Sequence, residues 1–187
     1  MCKVLEKNYA DLSPFNEREI LRYAGVQGEA DENTLALLRE CLQACEGAFS
    51  YRVCYLTLSK ADLFALLPSA KESVALAKFL DGKDEAVLFA ATVGLGVDRL
   101  IHRYASVSPV KALFFQAIGA ERIEALCDEF CAELGLKKRF SPGYADFALE
   151  AQRGIFAALG CEKRLGISLT DSLLMSPTKS VTAIAVR

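Results

Sequence analysis

The chain has 187 residues, 52% of them hydrophobic and 25% charged, the profile of a folded globular protein of about one domain. Its 22 basic and 24 acidic side chains give a net charge of −2, which argues against a general nucleic-acid binder, because such binding needs a phosphate-neutralising surface. Apolar runs such as 86–97 fall short of the ~20 residues that cross a bilayer, and Glu6, Asp11 and Glu17 interrupt any basic-then-apolar leader, so a cytoplasmic protein without a membrane role is expected.

Ser13 as N-cap and Pro14 at the first helical position predict a helix over 13–25. Asp31 caps a second over 31–48, with Leu35, Leu38, Leu42 and Cys45 in one stripe. The two read as a helical hairpin, an N-terminal extension (1–48) of an α/β core (49–187) within a single domain. Residues 51–59 alternate and are rich in strand formers, so a strand is expected there. Helical spacing returns over 70–80 and stops at Asp81-Gly82. The apolar run 85–92 has strand length and leads through Gly94-Leu95-Gly96 into a helix over 96–105. A long helical pattern fills 109–134, with a break expected near Gly119 and an end at Gly135. Lys138–Phe140 is extended, Ser141-Pro142-Gly143 turns, and 148–159 is an amphipathic helix closing on Gly160. Strands are expected over 165–169 and 180–186, with Ser176-Pro177 turning between them. The expected fold class is α+β, a twisted and mainly antiparallel sheet packed with helices.

Several candidate sites have a plain structural reading. Cys41 and Cys45, like Cys127 and Cys131, lie four apart in helical windows, and two thiolates one turn apart can share a metal. No Cys-x-x-Cys accompanies them, and the reading preferred is reduced cysteines packed as small apolar residues. The turn Gly94-Leu95-Gly96-Val97-Asp98-Arg99 has the setting of an anion-binding loop. It fails as a dinucleotide fingerprint because Arg99 stands where the third glycine is needed. A tight strand-to-helix turn explains the glycines, and Asp98 and Arg99 stay as secondary candidates. The sole histidine, His102, has no nucleophile elbow near it and reads as a packed or surface residue.

The last third differs. Arg139 ends an extended stretch just before a Pro-Gly turn that finishes in Tyr144. A guanidinium there can hold a carboxylate in a bidentate pair. Gly143 allows close backbone approach, and Tyr144 offers a flat face and a hydroxyl. Further on, 168–181 is dense in hydroxyls, including Thr170, Ser172 and Ser180, with Met175 and Pro177 among them.

Arg139-x-x-x-Gly143-Tyr144, followed by Ser168-Leu169-Thr170-x-Ser172-x-x-Met175-x-Pro177-x-x-Ser180-Val181, resembles the activation (reactivation) domain of vitamin B12-dependent methionine synthase, in a short stand-alone form. The match is strong over 139–181, and the turn ending in Asp98 extends it upstream. The resemblance implies binding of S-adenosylmethionine through Arg139, Ser141, Pro142, Gly143 and Tyr144, with Arg139 on the methionyl carboxylate. It implies Thr170, Ser172, Met175, Ser180, Asp98 and Arg99 as a secondary set, and no catalytic or metal-binding residue. It also implies an accessory part of a methyltransferase activity in methionine biosynthesis rather than a complete enzyme. The cobalamin would be held by a separate methionine synthase or other corrinoid protein, with a flavodoxin-like electron donor. Longer members carry aromatic and polar residues beyond the point where this chain stops, and Glu17, Glu19 and Asp98 are the acids considered for the ligand's ammonium. Two alternatives stand beside this one: an interaction module docking on a corrinoid protein with a decayed ligand site, and a cysteine-based metal or redox protein.

Overall fold

A computed structural model describes residues 3–187. Its central element is a five-stranded sheet in the order β1-β2-β3-β7-β4, with every neighbouring pair antiparallel. The strands are β1 (Leu5–Tyr9), β2 (Tyr51–Ser59), β3 (Glu85–Thr92), β4 (Lys138–Phe140) and β7 (Ser180–Val186). A separate two-stranded hairpin pairs β5 (Ser168–Leu169) with β6 (Met175–Ser176). The helices are α1 (Glu17–Tyr23), α2 (Glu32–Ala44), α3 (Lys60–Leu66), α4 (Val74–Phe79), α5 (Gly96–Tyr104), α6 (Pro109–Glu133), α7 (Ala151–Leu159) and α8 (Cys161–Leu165). The α+β class, the antiparallel sheet and the N-terminal helical hairpin are as expected. No helix among the described residues is long and apolar enough to cross a membrane.

Helices cover both faces of the sheet. Val53, Tyr55, Phe89 and Ala183 point into one core, which α1, α2, α5 and α6 close. Cys54, Leu56, Leu88 and Ile184 point into a second, closed by α3, α4, α7 and α8. Successive side chains of a strand alternate between faces, so a strand buried on both must be apolar throughout. That is why β3 is buried from Ala86 to Thr92 and shows no polar alternation.

The boundaries differ from expectation where tertiary bonds compete with local ones. The first helix begins at Glu17 and not near Ser13, capped by Asn16, whose side chain accepts from the Glu19 N–H at 3.2 Å. The carbonyls of Ser13 and Pro14 instead accept the Arg122 guanidinium at 2.8 and 3.4 Å. The 70–80 region is a 3-10 turn (Pro68–Lys71) followed by α4. The long helix α6 is unbroken at Gly119. A Cβ there would meet Lys179 Cγ at 2.9 Å and Val97 Cγ2 at 3.2 Å, so glycine is the residue that lets the Lys179 stem cross the helix. The expected strand over 165–169 shortens to its last two residues: α8 runs to Leu165, Gly166 turns with φ +68, and only Ser168–Leu169 is extended. Strand β1 and helix α3 were not expected, and β1 makes part of the N-terminal extension an edge of the main sheet.

Candidate functional site

Strand β4 has three residues, and its alternation splits the motif between the two layers. Phe140 is buried in the α7 layer, whereas Arg139 points to α6. There its Nη2 donates to Glu124 Oε2 at 3.0 Å and to Asp128 Oδ1 at 2.7 Å. Glu124 and Asp128 lie four apart on α6, one above the other on one face. Burial works against the Arg139 charge, and Cys127, Glu124 and Asp128 outweigh it, raising its pKa. The adjacent Cys127 thiol is pushed up to about 12 by burial.

Two grooves meet beside this triad. One, of about 790 Å³, runs between the lead-in to α1 and α6 and is acidic, lined by Glu19, Glu121, Glu124, Asp128 and Glu129. The other, of about 650 Å³, is basic and aromatic, lined by Lys137, Lys138, Arg139, Phe79, Phe140 and Tyr144. Asp128 and Ala132 belong to both. An anionic group and a cationic group held close together on one small molecule match this change of sign.

After β4 the chain turns sharply. The Gly143 N–H donates to Phe147 O at 2.8 Å and the Tyr144 N–H to Ser141 O at 3.2 Å. Gly143 has φ +84, which needs glycine. Tyr144 is 66% exposed, yet its ring stands edge-on to Phe140 at 5.3 Å. Ser141 and Pro142 are half-buried along the same turn. The run 139–144 thus reaches the surface on either side of a buried Phe140.

The secondary candidates lie elsewhere. Ser180 pairs with Thr92, five residues along β7 from the Ala185 that pairs with Arg139, roughly 17 Å at strand spacing. Asp98 accepts the Thr178 N–H at 2.7 Å and its hydroxyl at 2.6 Å, fastening that turn to α5. Ser180 Oγ bonds Thr92 Oγ1 and Pro177 O, beside a cis Ser176-Pro177 bond. The Thr170 and Ser172 hydroxyls bond one another within the β5–β6 turn, Met175 is half-buried against the α7 layer, and Arg99 and His102 are exposed on α5. Gly96 has a steric reason to be glycine, since a Cβ would lie 1.9 Å from Ala48 O. Glu17 and Glu19 sit in the first turn of α1; Glu19 pairs with Arg22 at 2.6 Å and borders the acidic groove.

Sequence reasoning missed Glu124 and Asp128. A signal was present: like charges four apart on a helix repel, which asks for a cation between them. The helical cysteines Cys41, Cys45, Cys127 and Cys131 are all buried in the core. Among the described residues no group of three or more His, Cys, Asp or Glu is arranged to hold a metal.

No known family model and no curated protein matches the sequence. Among solved structures, the chain is similar to the crystal structure of the MetH reactivation domain bound to AdoHcy. The TM-score is 0.64 at 16% identity, over 98% of this chain and 78% of that one. The likeness is one of fold.

Proposed function

We propose that this protein binds S-adenosylmethionine at the Arg139–Tyr144 groove and serves as an accessory to a separate corrinoid protein, supporting reductive methylation of its cobalamin. The observation that carries this reading is the Arg139 guanidinium held between Glu124 and Asp128 where the acidic and the aromatic grooves meet. A fold similar to that of a reactivation domain bound to AdoHcy supports it. An α-amino acid brings one carboxylate and one ammonium. Arg139 would take the first, and Glu124 and Asp128 the second, so that both charges of the amino-acid end find partners. Tyr144 would offer a flat face to the adenosyl group, with Gly143 allowing close approach. The bound sulfonium supplies a transferable methyl group; the corrinoid and its flavodoxin-like electron donor stay with partners, and no residue of this chain is assigned to them.

Titration calorimetry with S-adenosylmethionine on wild type and on Arg139→Ala tests the reading. Saturable binding by wild type that Arg139→Ala loses is the expected result. Equal binding by both, or none by wild type at millimolar ligand, overturns it.

The same ion pairs favour a second reading. Glu124 and Asp128 already satisfy Arg139 from within the chain, as they would in an interaction module whose ligand site has decayed. A corrinoid protein retained on this one equally well with and without S-adenosylmethionine would support that reading over the first.

A further inference from the structure

A mostly exposed aromatic ring at a loop tip ordinarily samples several orientations, but Tyr144 sits in a loop built against that. The residue after it, Ala145, has φ +52, a left-handed conformation that alanine adopts only at a cost. Nothing in the core requires this, since Tyr144, Ala145 and Asp146 are all exposed. The next side chain supplies the restraint. The Asp146 carboxylate accepts from Ser73 Oγ at 2.5 Å, from the Val74 N–H at 2.8 Å and from the Ala75 N–H at 3.2 Å. Ser73 is itself buried, and its hydroxyl caps α4 by accepting from the Leu76 N–H at 3.0 Å. The loop is therefore fastened to the start of α4, an element outside the motif. Backbone strain kept at an exposed position beside a displayed aromatic is the mark of a pre-organised contact.

We infer that Asp146 is a positioning residue for the ligand. From the N-terminus of α4 it holds Ala145 in the left-handed conformation and so fixes the Gly143–Tyr144 step, without touching the ligand itself. The inference rests on the S-adenosylmethionine reading above.

Calorimetry with S-adenosylmethionine on wild type, Asp146→Ala, Ala145→Gly and the double variant tests it, at a temperature where circular dichroism shows each fully folded. Asp146→Ala is expected to weaken binding about 5- to 30-fold, the equivalent of one strained residue released. Ala145→Gly in the same chain should recover most of that loss, because glycine takes a positive φ without strain. A merely structural role for Asp146 predicts instead a lower melting temperature with the affinity of the folded Asp146→Ala variant unchanged. Should Asp146→Ala fail to fold, Ser73→Ala removes one of the same bonds from the opposite side and should weaken binding about 2- to 5-fold. Wild-type affinity in Asp146→Ala, or in Ser73→Ala where that variant stands in, overturns the inference and leaves the ligand reading intact. So does absence of recovery in the double variant. Absence of binding by wild type overturns both.

Discussion

The Arg122 guanidinium stacks over the Phe15 ring, 4.2 Å from its centroid, and binds the neighbouring Glu121 through two hydrogen bonds of 2.5 Å. Adjacent residues on a helix do not normally face each other. These two converge because both reach the same lead-in to α1: Arg122 donates to the Ser13 and Pro14 carbonyls, and Glu121 accepts the Asn16 N–H at 3.1 Å. Both side chains are nearly fully buried. Arg122→Met should cost about 3–5 kcal/mol, because it leaves the Glu121 charge buried without its partner. Urea unfolding followed by circular dichroism measures this, and Glu121→Gln in the same chain should recover part of the loss.

On α6, Asp128→Asn keeps the shape of the side chain and removes its charge. Under the proposed function it should weaken S-adenosylmethionine binding about tenfold or more. It should leave the melting temperature within a few degrees of wild type, since Asp128 is an exposed partner of Arg139. Calorimetry and a thermal melt on the same sample separate the two effects.

Gly96→Ala should destabilise the fold by about 2–4 kcal/mol, because neither backbone can yield the 1.9 Å approach of the new Cβ to Ala48 O. Its midpoint in urea should fall with an unchanged slope.

Burial pushes the Cys41 thiol up to about 11, and those of Cys45 and Cys127 up to about 12. At pH 8 roughly a thousandth or less of each would be thiolate, the form that reacts. In the native protein these three should react with an aromatic disulfide reagent far more slowly than after unfolding in guanidinium. Rapid native reaction, mapped by mass spectrometry to Cys41 and Cys45, would revive a thiol-based function.

The Ser73 hydroxyl and the Val74 and Ala75 amides hold the Asp146 carboxyl below the usual carboxylate range. A depressed folded pKa makes the contribution full above the unfolded value, near 3.9, and lost as pH falls through the lower folded one. The Val74 and Ala75 amide resonances should therefore hold steady from neutral pH to about 4 and move below it. In Asp146→Asn that movement should be absent.

The central strands were legible in the sequence because a strand covered on both faces is largely apolar, as 86–91 is without interruption and 180–186 is but for Ser180 and Thr182. Strand β1 was not: its burial is partial, Leu5 is exposed, and its pairing with β2 joins residues nearly fifty positions apart. The start of α1 was misplaced because Ser13-Pro14 is a sound local cap whose carbonyls are taken by Arg122, more than a hundred residues away. The Arg139–Tyr144 run was legible as a motif, since a local turn fixes it. Its acidic partners on α6 were not, because the strand–helix packing that joins them leaves no mark in sequence beyond two like charges one turn apart.

The three-residue length of β4 carries a consequence for how ligand occupancy would be felt. Arg139 reports to the α6 layer and Phe140 to the α7 layer, and the loop they lead into is anchored on α4. A molecule seated there would pull on both halves of the sandwich at once, and its grip would spread across the sheet. Amide hydrogen exchange would then slow in α6 and in α7 together on binding, and the edge of the sheet would act as a seam through which two separate cores share one signal.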